Sequence, residues 1–143
     1  MSTGVSYQLR VNGSDYDVEQ AWLGESLLYV LRERLHLMGS KNACEQGECG
    51  SCSVLVDAEL VCACLVMAAT VQGADIQTIE GLGEDGQLSV VQSAFVQSGA
   101  IQCGFCSPGL IMSLEKFLSE NSDPTDLELR EAISGNLCRC TGY

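Results

Sequence analysis

Three thiols and two glycines fall within nine residues, Cys44-Glu45-Gln46-Gly47-Glu48-Cys49-Gly50-Ser51-Cys52. A helix or strand has no use for that density, so the segment reads as a loop wrapped around a metal. Its spacing, four residues and then two, is one in which four thiolates hold a 2Fe-2S cluster and the last ligand comes from farther along the chain. Cys64 is able to supply it. Cys62 lies two residues before and on a regular strand faces the same side, so spacing alone does not choose between them. Cluster sulfides and thiolates accept hydrogen bonds, so the loop must curl with its N–H groups aimed at sulfur. Gly47 and Gly50, lacking a Cβ, permit positive φ and close approach of the main chain.

A second set of thiols pairs Cys103-Gly104-Phe105-Cys106 with Cys138-Arg139-Cys140. Four ligands suit one more cluster. Cys106 precedes Ser107-Pro108, a helix start, where unpaired N–H groups and the helix dipole favour negative charge by roughly 0.3–1 kcal/mol at an exposed end. Nine cysteines and an N-terminus with neither a basic start nor an apolar signal core favour metal binding over a disulfide framework. His36 is the sole histidine, which excludes a Rieske centre with two imidazoles. By ligand count alone, a freestanding two-cluster carrier and a protein with two four-thiolate zinc sites also remain open.

The elements that must position these thiols differ between the two halves. Val5 to Val11 alternates apolar and polar residues, Asn12-Gly13 is a hairpin signal, and a return strand is expected at about Tyr16 to Val18. Ser26 caps a predicted helix carrying Leu27, Leu28, Val30, Leu31 and Leu35, expected to end near Gly39. Beyond the loop, Ser53–Val56 and Leu60–Cys62 pair around Asp57-Ala58, and Ile76–Ile79 forms another strand. Glycines at 81, 83 and 86 mark the expected boundary between a unit of residues 1–80 and one of 81–143. The second unit is helical: a helix after Ser89, one from Ser107-Pro108 to about Glu120, and one opened by the capping box Thr125-Asp126-Leu127-Glu128 and closed by Gly135.

The formal charge of −12 argues against nucleic acid or an acidic membrane as partner, and no apolar run approaches the roughly 20 residues of a membrane span. The cytoplasm is the expected compartment.

Cys44-x4-Cys49-Gly50-x-Cys52 with Cys64-Leu65, then Gln102-Cys103-Gly104-Phe105-Cys106-Ser107-Pro108-Gly109, then Gly135-Asn136-Leu137-Cys138-Arg139-Cys140-Thr141-Gly142-Tyr143, together resemble the small iron-sulfur subunit of the xanthine oxidase family of molybdenum hydroxylases. The resemblance covers nearly the whole chain. It implies an α+β chain: an N-terminal β-grasp, plant-type ferredoxin domain followed by an all-α helical-bundle domain, each with one 2Fe-2S cluster. It selects Cys64 over Cys62 as the fourth ligand beside Cys44, Cys49 and Cys52, and assigns Cys103, Cys106, Cys138 and Cys140 to the second cluster. It further implies a molybdopterin-binding large subunit that performs the substrate chemistry and an FAD-binding medium subunit that receives the electrons. Gln102 and Cys140 match positions expected to approach the pterin, and the first cluster is expected on the flavin side.

Two features depart from the family pattern. The turn that usually reads Asp-Gly is Asp57-Ala58 here, and related chains usually continue beyond the position of Tyr143 into another helix. Among neighbours of the thiols, Phe105 is expected to shield the second cluster from within the core, Arg139 to offset charge or form a salt bridge at a subunit interface, and Glu45 and Glu48 to form a solvated loop face.

Overall fold

The computed structural model describes residues 4–83 and 85–143; Met1, Ser2, Thr3 and Glu84, the last within the expected boundary segment, lie outside the described residues. Strand β1, Val5–Val11, buries Tyr7, Leu9 and Val11 and turns the intervening side chains outward, the period-2 pattern of a half-buried strand. Asn12 and Gly13 both take positive φ, 52° and 76°, as a two-residue hairpin of the primed type requires, and β2 returns antiparallel over Ser14–Ala21. The return strand is therefore longer than the alternation suggested.

Strands β3, Ser53–Val56, and β4, Glu59–Cys62, form a second hairpin, and β5, Asp75–Gln77, runs parallel to β1 and antiparallel to β3. The sheet order is β2-β1-β5-β3-β4. Ile76 of the central strand has no exposed surface, and neither do Leu9, Val54, Leu27 and Leu31 around it. Removing each such side chain from water contributes about 1.5–3 kcal/mol.

Leu27 and Leu31 come from α1, Leu27–Tyr29, which continues as a π-helical turn over Val30–Arg34. Ser26 caps it as expected, its Oγ accepting from Tyr29 N at 3.1 Å. The helix does not reach Gly39. Leu35 N bonds back five residues to Val30 O, Leu37 N to Leu31 O, and His36 takes a φ of 57°, which ends the helix. The Arg32 guanidinium then donates to Met38 O and Ser40 O at 3.0 and 2.7 Å, holding the chain as it enters the cysteine loop.

At the other end of this element, Glu25 accepts from Arg34 Nε and Nη2, both at 2.6 Å, and from Trp22 N at 3.0 Å. The Arg34 hydrogen bonds hold the Glu25 carboxyl below its ordinary value, against the opposing effect of burial. A depressed folded-state pKa means stability that is present above the ordinary carboxylate range and lost as pH falls through the folded value. Glu25→Gln should therefore cost about 2 kcal/mol near neutral pH, a deficit that shrinks toward acid in urea melts of both proteins.

The Asp57-Ala58 turn is of the primed type despite lacking glycine, with φ of 49° and 64°. Ala58 occupies a left-handed conformation that costs an L-residue with a Cβ roughly 1–2 kcal/mol. Ala58→Gly is expected to stabilise the protein by about 1 kcal/mol, after the extra chain entropy of glycine is subtracted, and to raise the thermal midpoint.

The rest of the chain is helical, as expected for an α+β protein. Helix α2, Val90–Gln97, and helix α4, Asp126–Ala132, begin with complete capping boxes, Ser89 with Gln92 and Thr125 with Glu128. Helix α3, Ser107–Glu120, is capped by Cys106 rather than Ser107. The turn begins one residue early because Ser107 N already bonds Gly104 O and Leu110 N bonds Cys106 O. Helix α4 stops short of Gly135: Ser134 N bonds Glu131 O and Asn136 N bonds Ile133 O, three-residue steps that turn the chain toward the sheet. Helix α3 packs on β3 and β4 with Met112 fully buried, and Lys116 reaches Glu59 of β4 at 3.3 Å. Among the described residues, no helix is long and apolar enough to cross a membrane.

Candidate metal centres

The loop after Ser40 places the first three thiols, and a short 3-10 turn after β4, Ala63–Leu65, places Cys64 beside them. Gly47 and Gly50 have φ of 73° and 70°. A Cβ on Gly47 would sit 2.3 Å from Leu65 Cδ1, so the bare main chain lets the turn bearing Cys64 close over the loop. Cys44 Sγ accepts from Gln46 N at 3.4 Å, and the N–H groups of Cys49 and Glu48 add to it. These donors, that of Gln46 foremost, bring the Cys44 thiol down to about 6. Burial pushes Cys52 up to about 12, partly opposed by the N–H of Cys64.

The thiols of this set lie close enough to perturb one another, Cys49 acting on Cys44 and Cys64 on Cys52. Burial raises the Cys62 thiol as well. In the second set, Cys140 acts on the Cys103 thiol, and Cys138 on that of Cys106. The Phe105 N–H lowers Cys103, whereas its bond to Cys103 raises Cys140. Burial raises Cys106 to about 11; the N–H and hydroxyl of Thr141 lower Cys138 to about 7. Among the described residues no three thiol, imidazole or carboxylate groups close around one point as a single metal ion requires. At least four thiols per set, with peptide N–H groups directed at sulfur as from Gln46 to Cys44, fit a group of two irons.

Gln102, Cys103, Gly104, Cys106, Cys138 and Cys140 line one small cavity, so all the residues expected around the second centre meet. Gln102 and Cys140 are on its exposed side. Phe105 differs from expectation: it is 42% exposed and lies on the rim, not in the core. Arg139 lines the neighbouring cleft with Phe105, Leu137 and Tyr143, and forms no salt bridge among the described residues. Glu45 and Glu48 are solvated, as expected.

That cleft also contains Cys49, which brings the two thiol sets side by side. Leu137 N donates to Cys49 O at 2.9 Å, joining the residue before Cys138 directly to a residue of the first set. Asn136 makes this possible. Its buried amide donates to Gly50 O at 3.1 Å, and its Oδ1 lies 2.8 Å from Ser113 Oγ, whose single proton is shared between Asn136 Oδ1 and Gly109 O. A Cβ on Gly109 would stand 2.2 Å from Gly50 O, so helix α3 rests against the cysteine loop through bare backbone. Sequence reasoning assigned Asn136 no role; its one signal is a polar amide between two glycine- and cysteine-bearing turns.

Comparison with known proteins agrees with this arrangement. A family model described as a 2Fe-2S iron-sulfur cluster binding domain matches residues 9–83, and one described as a [2Fe-2S] binding domain matches residues 78–143. The nicotinate dehydrogenase small FeS subunit of Eubacterium barkeri is 46% identical, over 82% of this chain and 74% of its own. The xanthine dehydrogenase iron-sulfur-binding subunit of Escherichia coli O157:H7 is 43% identical over 99% and 89%. Of solved structures, quinoline 2-oxidoreductase from Pseudomonas putida 86 superposes with a TM-score of 0.93 at 39% identity, covering 99% of this chain and 87% of that one. The aldehyde oxidoreductase of Desulfovibrio desulfuricans gives 0.89 at 38% identity, covering 96% of this chain but 16% of that longer one. The thiol sets, the α+β fold and these relatives together show that the chain belongs to the iron-sulfur subunits of the xanthine oxidase family of molybdenum hydroxylases, which are oxidoreductases.

Proposed function

We propose that this chain is an electron-transfer subunit with two 2Fe-2S clusters, relaying electrons from a molybdopterin centre on a large subunit to FAD on a medium subunit. Cys44, Cys49, Cys52 and Cys64 hold one cluster, and Cys103, Cys106, Cys138 and Cys140 the other. When bound, each supplies reversible one-electron redox chemistry. The observation that carries the reading is the Leu137 N–H bond to Cys49 O, which ties the residue next to Cys138 to a thiol-bearing residue of the first set.

The chain's own residues hold sulfur positions and limit water. N–H groups of Gln46, Glu48 and Cys49 stabilise Cys44 as the thiolate, and those of Thr141 and Phe105 do so for Cys138 and Cys103. Burial of Cys52 keeps one side of the first centre dry. Gln102 and Cys140 face outward from the second centre, consistent with a pterin approaching there.

Each centre is bordered by exposed apolar side chains that suit partner subunits. Leu65 and Met67 flank the first, and Ile101, Phe105 and Leu137 the second. With the family's large subunit at the second centre, the first is left for the flavin side. The units of residues 1–80 and 81–143 meet at the glycine-rich segment, and the complex works in the cytoplasm.

The test is purification of the tagged chain from its native host. The expected result is a red-brown complex with larger subunits bearing molybdopterin and flavin, and two cluster EPR signals on reduction. A stable monomer with no cofactor-bearing partner, or one containing zinc in place of iron, would overturn the reading.

A further inference from the structure

The first thiol set contains five sulfurs where one cluster takes four. Cys62 is not placed at random beside it. Strand β4 ends at Cys62, opposite Ser53, and Ala63 N bonds Cys52 O at 3.3 Å before the chain winds into the turn bearing Cys64. This change from strand to turn aims both side chains at the loop. Cys62 Sγ donates to Gly47 O at 3.8 Å, in the stretch of loop that joins Cys44 to Cys49. That contact and the Ala63 N bond to Cys52 O together seat this sulfur against the loop that carries Cys44, Cys49 and Cys52.

The two competitors differ in their surroundings. Cys64 lines an open cleft with Trp22, Tyr29, Asn42 and Glu45, whereas Cys62 faces inward on the loop's own backbone. Cys64 is therefore the sulfur of this pair that solvent and oxidants meet in that cleft.

Resting on the cluster reading above, we propose that Cys62 is a reserve ligand: when Cys64 is lost or blocked, the Cys62 sulfur takes its place at the first cluster. The exchange is balanced. Where Cys64 is absent, a bond from Cys62 to iron would form and the Cys62 thiol proton would pass to water; where the Cys64 bond breaks, the released Cys64 thiolate would take up that proton. No oxidant or reductant is required. The movement asked for is a side-chain rotation and a local shift of the Ala63–Leu65 turn, with the Gly47 carbonyl released to solvent.

The experiment compares Cys62→Ala, Cys64→Ala and the double variant in the intact complex, reconstituted with ferrous iron and sulfide, by iron content and EPR of the reduced protein. The second cluster's signal reports in each sample that the chain has folded; if Cys64→Ala does not pass that control, Cys64→Ser is read in the same way against Cys62→Ala/Cys64→Ser. The expected result is an unchanged spectrum for Cys62→Ala, a retained first cluster with shifted g values for the Cys64 variant, and loss of about half the iron in the double variant. If the Cys64 variant loses the first cluster as fully as the double variant, the reserve role is overturned while the cluster reading stands. If Cys62→Ala instead loses the cluster and the Cys64 variant keeps the wild-type spectrum, Cys62 is the resident ligand, and the ligand assignment itself fails with the inference.

Discussion

Gly50→Ala is expected to destabilise the protein by about 3 kcal/mol, the sum of a left-handed alanine at roughly 1–2 kcal/mol and an overpacked contact at roughly 1–3 kcal/mol. Gly50 has a φ of 70°, and its Cβ would lie 2.4 Å from Asn136 Nδ2 and 2.7 Å from Gly135 O. The side-chain amide has room to rotate only by giving up Gly50 O or Ser113, and the carbonyl is backbone. Denaturant melts supply the measurement, with Gly73→Ala as the control. Gly73 has a φ of 80° and open space around it, so it carries the backbone strain alone. A Gly50 variant no worse than the control would show that the contact with Asn136 contributes nothing. Hydrogen exchange adds a local readout: the Leu137 N–H, bonded to Cys49 O, should lose protection in Gly50→Ala and keep it in Gly73→Ala.

The second large effect is expected from Cys138→Ala, which should remove about half the bound iron and one of the two EPR signals while the other persists. Cys138 belongs to a set of four thiols for four ligand positions, so none is spare to replace it. The contrast with the first set is the ninth thiol: Cys62 has no counterpart near Cys138. Because metal binding and folding are linked, the variant should also melt earlier, most in the helical half. Retention of both signals would mean that Cys138 is not a ligand.

Much of this arrangement was legible from local pattern. The Asn12-Gly13 hairpin, the Ser26, Ser89 and Thr125 caps, and the alternation of β1 all stand where short-range rules put them. Their energetics involve residues a few positions apart, so a short window contains the whole interaction. The thiol spacings belong to the same class, since a loop that must wrap a compact group leaves its period in the chain. The end of α1 was not legible: Leu35 continues the apolar helical pattern, but the Arg32 bonds to Met38 O and Ser40 O favour the turn.

The sequence by itself determined the kind of chemistry, two groups of thiols in glycine-bearing loops, and the α+β elements that present them. Only the tertiary structure decided that the two thiol sets lie side by side, that Phe105 lies on a rim, and that Asn136 ties the second set's turn to Gly50 across 86 positions of chain. Such choices depend on the register of β3 in the sheet and on how closely α3 approaches Gly50. Both are set by burial and backbone contact between distant segments, which leave no periodic trace in either segment alone.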